Sequence, residues 1–89
     1  MKTINFRQFA IFTDITRKNT ATVDASRDVS EALYKGANGI MAHSLAIRIY
    51  ESQGAIELSA EEEAFLRRFI QEATTPVFQD SFEANLKSE

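Results

Sequence analysis

The sequence predicts an α+β fold in which an N-terminal β-hairpin packs on about four short α-helices. Three observations support this prediction. β-Branched and aromatic residues are concentrated in the first 23 positions, apolar residues recur at helical spacing after them, and glycine, proline and capping residues divide the later part into short segments. We expect one compact domain over residues 1–89, because a chain of this length supports a single hydrophobic core.

The hairpin is predicted within residues 1–23. Residues 4–15 are rich in Phe and Ile, and residues 20–23 are mainly β-branched, with a polar stretch between the two segments. Apolar and polar positions do not alternate regularly along the first segment. We therefore expect a first strand that is covered on both faces, or one with a bulge that switches face near Phe9.

Two helices are predicted next, over residues 25–35 and 40–53. The first has an amphipathic spacing and stops at Gly36. Asn38 is a candidate cap for the second helix, which Gly54 should terminate. The short turn between the two helices should bring them into contact.

Two further helices are predicted in the last third of the chain. Residues 55–58 alternate and form either an extended connector or a third strand beside the hairpin. Ser59 and Glu62 have the spacing of a capping box at the start of a helix over 60–73. A Thr-Pro pair then starts a last helix over 76–86, since proline is well tolerated at the first helical position.

The second helix has more apolar surface than one neighbour can cover, because eight of the eleven residues in 40–50 are apolar. The other elements are short and must bury stripes of their own. We therefore expect exposed apolar surface, self-association as a homo-oligomer, and a role as a non-enzymatic protein-interaction or assembly domain. The candidate contact residues are Ile40, Met41, His43, Ile47 and Tyr50 on the second helix, and Phe78, Phe82 and Leu86 on the last.

The sequence offers no catalytic, cofactor or metal site. The chain has no cysteine, which excludes disulfides, thiolate metal sites and cysteine nucleophiles. The single histidine, His43, has no side chain three or four positions away that can coordinate a metal. The acidic run at 61–63 is the charge expected at a helix N-terminus. We predict neither an enzyme nor a cofactor.

The alternative hypothesis is a nucleic-acid-associated regulator that uses the basic end of the hairpin. Arg17 and Lys18 lie at its predicted tip, with Arg7 and Arg27 near them in sequence, and residues 1–35 are more basic than the rest of the chain. The net charge of -3 argues against general attraction to phosphate. A helix-turn-helix would also require polar base-reading residues at the start of the second helix, and none is present there.

We expect a cytoplasmic protein that is not embedded in a membrane. The N-terminus has no apolar run of signal-peptide length, and no segment approaches the roughly 18 apolar residues of a membrane span. The order of hairpin, capped helices and a third helix with an acidic start is similar to the general pattern of small bacterial or prophage-encoded proteins. No motif assigns the chain to a family, and an origin in a phage or mobile element is only a loose association.

Overall fold

The computed structural model describes residues 2–88, and it confirms the α+β fold. The described part of the chain contains nine elements in a mixed order. These are β1 (Lys2–Ile4), β2 (Phe9–Phe12), β3 (Thr20–Val23), α1 (Ser26–Gly36), α2 (Ile40–Glu51), β4 (Ile56–Leu58), α3 (Ala60–Ala73), α4 (Pro76–Asn85) and β5 (Lys87–Ser88).

The predicted hairpin is formed by β2 and β3, which pair antiparallel with Phe9 opposite Val23 and Phe12 opposite Thr20. The prediction of one long strand over residues 4–15 is wrong. The Asn5 side-chain carbonyl accepts hydrogen bonds from the backbone N–H groups of Arg7 and Gln8, at 3.0 and 3.1 Å. This turn separates β1 from β2, so the irregular alternation near Phe9 reflects two strands rather than a bulge.

A second sheet lies apart from the hairpin, with strand order β4-β1-β5 and antiparallel pairing throughout. Residues 55–58 do contain a strand, β4. It pairs with β1, with Lys2 opposite Leu58, and not with the hairpin. The terminal strand β5 was not predicted, because two residues carry no detectable strand pattern.

The helix predictions are accurate to within two residues at each end. The capping box of α3 is confirmed, since the Ser59 hydroxyl accepts from the Glu62 N–H and the Glu62 carboxylate accepts from the Ser59 N–H. Asn38 does not cap α2. Gly39 occupies that position with φ of 102°, a left-handed conformation that glycine adopts without steric strain.

The core lies where both sheets meet all four helices, and Phe6, Phe9 and Phe82 are its largest buried side chains. Phe6 stacks between the other two, with ring centroids 5.7 Å from Phe9 and 6.5 Å from Phe82. Phe78 stacks on Phe9 at 5.0 Å. The stack links β2 to α4, so the last helix is tied to the hairpin by aromatic contacts.

Helix α4 also covers the outer edge of β2. The Asn85 side chain accepts from the Ala10 N–H at 3.1 Å and donates to the Ala10 carbonyl at 2.8 Å. The buried Ser81 hydroxyl accepts from the Phe12 N–H at 3.0 Å. Side chains of a helix thus provide the hydrogen bonds that a third strand would provide.

Candidate protein-interaction surface

Helices α1 and α2 form a helical hairpin that contributes one side to the core. Val29 and Leu33 of α1 are buried, as are Leu45 and Ile49 of α2. Because residues three and four positions apart share a helix face, these pairs direct one stripe of each helix inward. The opposite sides of the two helices remain in contact with solvent.

Part of the outer side of this hairpin is apolar. Ile40 is 89% exposed, Tyr34 62%, Tyr50 56% and Ile47 39%. His43 is also exposed and lies beside Tyr34, with ring centroids 5.9 Å apart. We call these five residues (Tyr34, Ile40, His43, Ile47, Tyr50) the α1–α2 face. Single exposed apolar residues are common on proteins, whereas a group on two adjacent helices is a candidate contact surface.

A shallow groove of about 230 Å³ runs between the two helices within this face. Its polar rim includes Glu31, whose carboxylate lies 3.4 Å from the Arg27 guanidinium one turn earlier on α1. Charge at the rim is thus paired within the chain, and the floor is mostly apolar. The lining residues are Ser30, Glu31, Tyr34, His43, Ala46, Ile47 and Tyr50.

The structure does not bring together all eight residues of the predicted contact surface. Met41 is half-buried and packs against the core, as do Phe78 and Leu86. Phe82 is only 1% exposed, so it belongs to the core and is not accessible to a partner. We therefore remove the α4 residues from the candidate surface, because the stripe of α4 is covered by β2 and by the Phe stack.

Tyr34 lines the groove, but it was not among the contact residues predicted from the sequence. The signal was present: Tyr34 lies one turn after Ser30 and beside the buried Leu33. Tyr34 borders the apolar stripe of α1, so it lies next to the helix that packs against that stripe. That neighbour, α2, adds His43 and Ile47, and the three residues together line the groove.

Arg7, a candidate nucleic-acid contact, has a structural role. Its guanidinium donates to the backbone carbonyls of Tyr50 and Ser52, at 2.9 and 2.8 Å, and lies 3.4 Å from the Asp24 carboxylate. Carbonyl groups at the end of a helix lack intrahelical partners and favour cations. Arg7 therefore caps the C-terminus of α2 and ties it to the turn after β1.

The other three candidate cations do not converge on one surface feature. Arg27 is paired with Glu31 on α1, and Arg17, which has φ of 58°, lies 4.0 Å from Asp80 on α4. Lys18 is exposed in the hairpin loop. Of the four candidates, only Arg17 and Lys18 lie together at the hairpin tip as predicted, and Asp80 lies beside Arg17. The placement of these residues gives the nucleic-acid hypothesis no specific support.

The acidic start of α3 is paired within the chain. The Arg67 guanidinium, followed by the Lys2 ammonium, donates hydrogen bonds to Glu63 and holds the pKa of this carboxyl below its ordinary value. Burial alone would raise the pKa of Glu62, but hydrogen bonding by the Ser59 N–H and the charge of Arg48 lower it on balance. These contacts favour the ionised carboxylates without any added cation.

Residues 2–88 show neither a metal-binding cluster nor a membrane-spanning helix. This range contains no cluster of three or more side chains suited to binding a metal ion. Its helices lack the length and apolar character that a bilayer crossing requires.

Comparisons with known proteins add no assignment. No protein-family model matches the chain, and no match was found among curated proteins or solved structures.

Proposed function

We propose that this chain is a small non-enzymatic interaction domain that forms a homodimer through the α1–α2 face. The observation that carries the proposal is the exposure of Tyr34, Ile47 and Tyr50 along one groove, at 62%, 39% and 56%. Tyrosines are enriched at protein interfaces because each combines a large apolar ring with a polar hydroxyl.

The size of the face suits a weak dimer. Together with Ile40, which is 89% exposed, these three side chains leave an apolar patch on the order of 400 Å², comparable to the largest patches found on single-chain proteins. Adding the polar rim gives an area somewhat below the roughly 800 Å² per partner of a standard interface. We expect a dissociation constant of about 10 to 100 µM rather than a permanent complex.

A second copy is the simplest partner for such a face. In a two-fold arrangement with antiparallel helices, the end of the groove with Tyr34 and His43 meets the end with Tyr50 of the other copy. Both ends carry an aromatic ring and a group that can form a hydrogen bond. The face is thus self-complementary, as a symmetric dimer requires.

The test is light scattering after size-exclusion chromatography over a dilution series. The natural chain should shift toward twice the 10.0 kDa mass of one copy as concentration rises. Ile47→Glu should remove the part of this shift that depends on the α1–α2 face, because burying an unpaired carboxylate at the interface is costly. It should leave the fold intact, since Ile47 is not part of the core.

Ala32→Glu is the matched control, because Ala32 is exposed on α1 outside the groove and the charge change is identical. This variant should dimerise as the natural chain does. A natural chain that stays monomeric at all concentrations contradicts the proposal. An equal loss of dimer in both variants would mean that net charge, and not the α1–α2 face, controls association.

A further inference from the structure

The two edges of the β-hairpin differ in their hydrogen bonding. Helix α4 satisfies the outer edge of β2 through Ser81 and Asn85. Within residues 2–88, β3 pairs with β2 alone, and all four of its residues are exposed. An exposed edge of this kind is a template for another strand, and many proteins protect theirs with lysine, proline or a bulge. The segment Thr20–Val23 contains none of these.

The pairing pattern shows which backbone groups of β3 point outward. Ala10 and Phe12 direct their N–H groups toward α4, so Phe9 and Ile11 are the residues of β2 that bond to β3. In an antiparallel ladder the residues opposite Ala10 and Phe12 also point away from the partner strand. These are Thr22 and Thr20. Their N–H and C=O groups therefore face the open edge.

We propose that this edge pairs with the same edge of a second copy, antiparallel and centred on Ala21. Thr20 then lies opposite Thr22 of the other copy, and each such pair exchanges two backbone hydrogen bonds. The result is a continuous four-stranded sheet in the order β2-β3-β3-β2. This interface is separate from the α1–α2 face and does not depend on it.

Charge complementarity identifies a second copy as the occupant. Lys18 and Asp24 lie three residues before and three residues after Ala21. A two-fold axis at Ala21 therefore brings Lys18 of each copy toward Asp24 of the other, just beyond the two ends of the paired strands. Both residues are exposed. The Asp24 carboxylate accepts hydrogen bonds from Ser26 and lies 3.4 Å from the Arg7 guanidinium, but the Asp24 side chain keeps 53% of its surface in contact with solvent and can attract a second cation. The Thr–Thr pairs between them are also favourable across antiparallel strands.

Cysteine cross-linking tests the register, because the chain has no cysteine of its own. In the proposed register the two Ala21 residues form a pair without hydrogen bonds between them, with Cα atoms about 4.5 Å apart. This separation lies within the range that a disulfide spans. The variant Ala21→Cys, treated with diamide as the oxidant, should form a covalent dimer rapidly. Two thiols lose their hydrogens to diamide as the S–S bond forms.

Thr22→Cys is the matched control. It retains the backbone N–H, but in this register the two copies of residue 22 have Cα atoms about 8 Å or more apart, which is too far for a disulfide. We expect cross-linking to be at least about tenfold slower than for Ala21→Cys at equal concentration. Equal rates in the two variants would overturn the proposed register, and failure of Ala21→Cys to cross-link would overturn the interface.

Two further substitutions, with a control for the second, test which interactions cause the two β3 strands to pair. Thr22→Pro in the Ala21→Cys chain removes an outward N–H that has no partner in the monomer, so it should suppress cross-linking while circular dichroism stays unchanged. Lys18→Glu should slow cross-linking about 2- to 10-fold at low salt, since it brings a glutamate toward Asp24 of the other copy. Lys35→Glu makes the same charge change on α1 and should have no such effect. If it slows cross-linking equally, the proposed charge pairing is wrong.

The two interfaces can be tested independently. Cross-linking of Ala21→Cys should persist when Ile47→Glu is added, because Ile47 lies on α2 and outside the strand edge. If Ile47→Glu abolishes cross-linking, the edge has no affinity of its own and the proposal fails. If cross-linking persists but the natural chain shows no α1–α2 dimer, only the proposed function fails.

Discussion

Helices α2 and α4 were both predicted to present apolar side chains to a partner, but the fold treats them differently. Phe82 of α4 is 1% exposed and stacks on Phe6, whereas Ile47 and Tyr50 of α2 are 39% and 56% exposed. The sequences of the two helices do not predict this difference, since each helix has apolar residues at helical spacing. An apolar stripe becomes core only where the fold places another element against it.

The neighbours of each helix explain the outcome. Helix α4 lies along β2 and also packs against α3, so its apolar side faces the centre of the molecule. Helix α2 is apolar around most of its circumference, and α1 with the core covers only part of it. The uncovered part of α2, together with Tyr34 of α1, forms the α1–α2 face. The comparison indicates that excess apolar residues, and not a stripe alone, mark a candidate interface.

Phe82→Ala should give the largest effect and would show how much α4 contributes to the core. We expect a loss of about 3 to 5 kcal/mol in the free energy of unfolding, because the substitution leaves a cavity beside the Phe stack. A domain of this length has roughly 4 to 13 kcal/mol in total, so the variant should be close to unfolding. Urea denaturation followed by circular dichroism measures the loss.

Ile47→Ala is the control for this comparison. Because Ile47 is partly exposed, its truncation should cost less than about 1 kcal/mol in the same assay at dilute concentration. Equal losses for the two variants would contradict the distinction between a covered helix and an uncovered one.

Asn85→Ala should give an intermediate effect and would test whether α4 acts as the edge partner of β2. The substitution leaves both backbone groups of Ala10 without their hydrogen-bond partner. We expect a loss of about 1 to 3 kcal/mol and faster hydrogen exchange at the Ala10 amide. Gln79→Ala, on the same helix but away from β2, should change neither quantity by much. Unchanged exchange in Asn85→Ala would refute the role of this side chain.

Glu63→Gln should give the smallest effect on the free energy of unfolding, and the effect should be visible as a weaker dependence of stability on pH. Hydrogen bonds from Arg67 and Lys2 hold the pKa of Glu63 below its ordinary value of 4.5. The ionised Glu63 carboxylate therefore contributes its full stabilisation above pH 4.5. This stabilisation is lost as the pH falls through the lower pKa that Glu63 has in the folded chain.

The variant lacks the titrating carboxyl, so its stability should fall less between about pH 6 and about pH 3, by a few tenths of a kcal/mol. Urea denaturation at several pH values measures the difference. Glu72→Gln alters an ion pair whose partners are both well exposed, and it serves as the control. A Glu63→Gln profile that is parallel to that of the natural chain would contradict the assignment.

The correct predictions from sequence concern features that a few neighbouring residues determine. The capping box at Ser59 and Glu62 depends on a spacing of three residues, and the helix ends depend on glycine, proline and helical periodicity. The β2–β3 hairpin was also identified, because its two strands are close in sequence. The charged candidates were less predictable. Arg7 caps α2 through contacts 43 and 45 residues away, which no local pattern indicates.

The sequence alone determined the fold class, the four helices, the hairpin and an excess of apolar residues on α2. Only the tertiary structure decided that β4 joins β1, that α4 covers β2 while β3 stays open, and that Phe82 is core while Tyr34 lines the groove. The physical reason is the range of the forces involved. Backbone propensity and capping act over a few residues, whereas burial depends on which distant segments pack together.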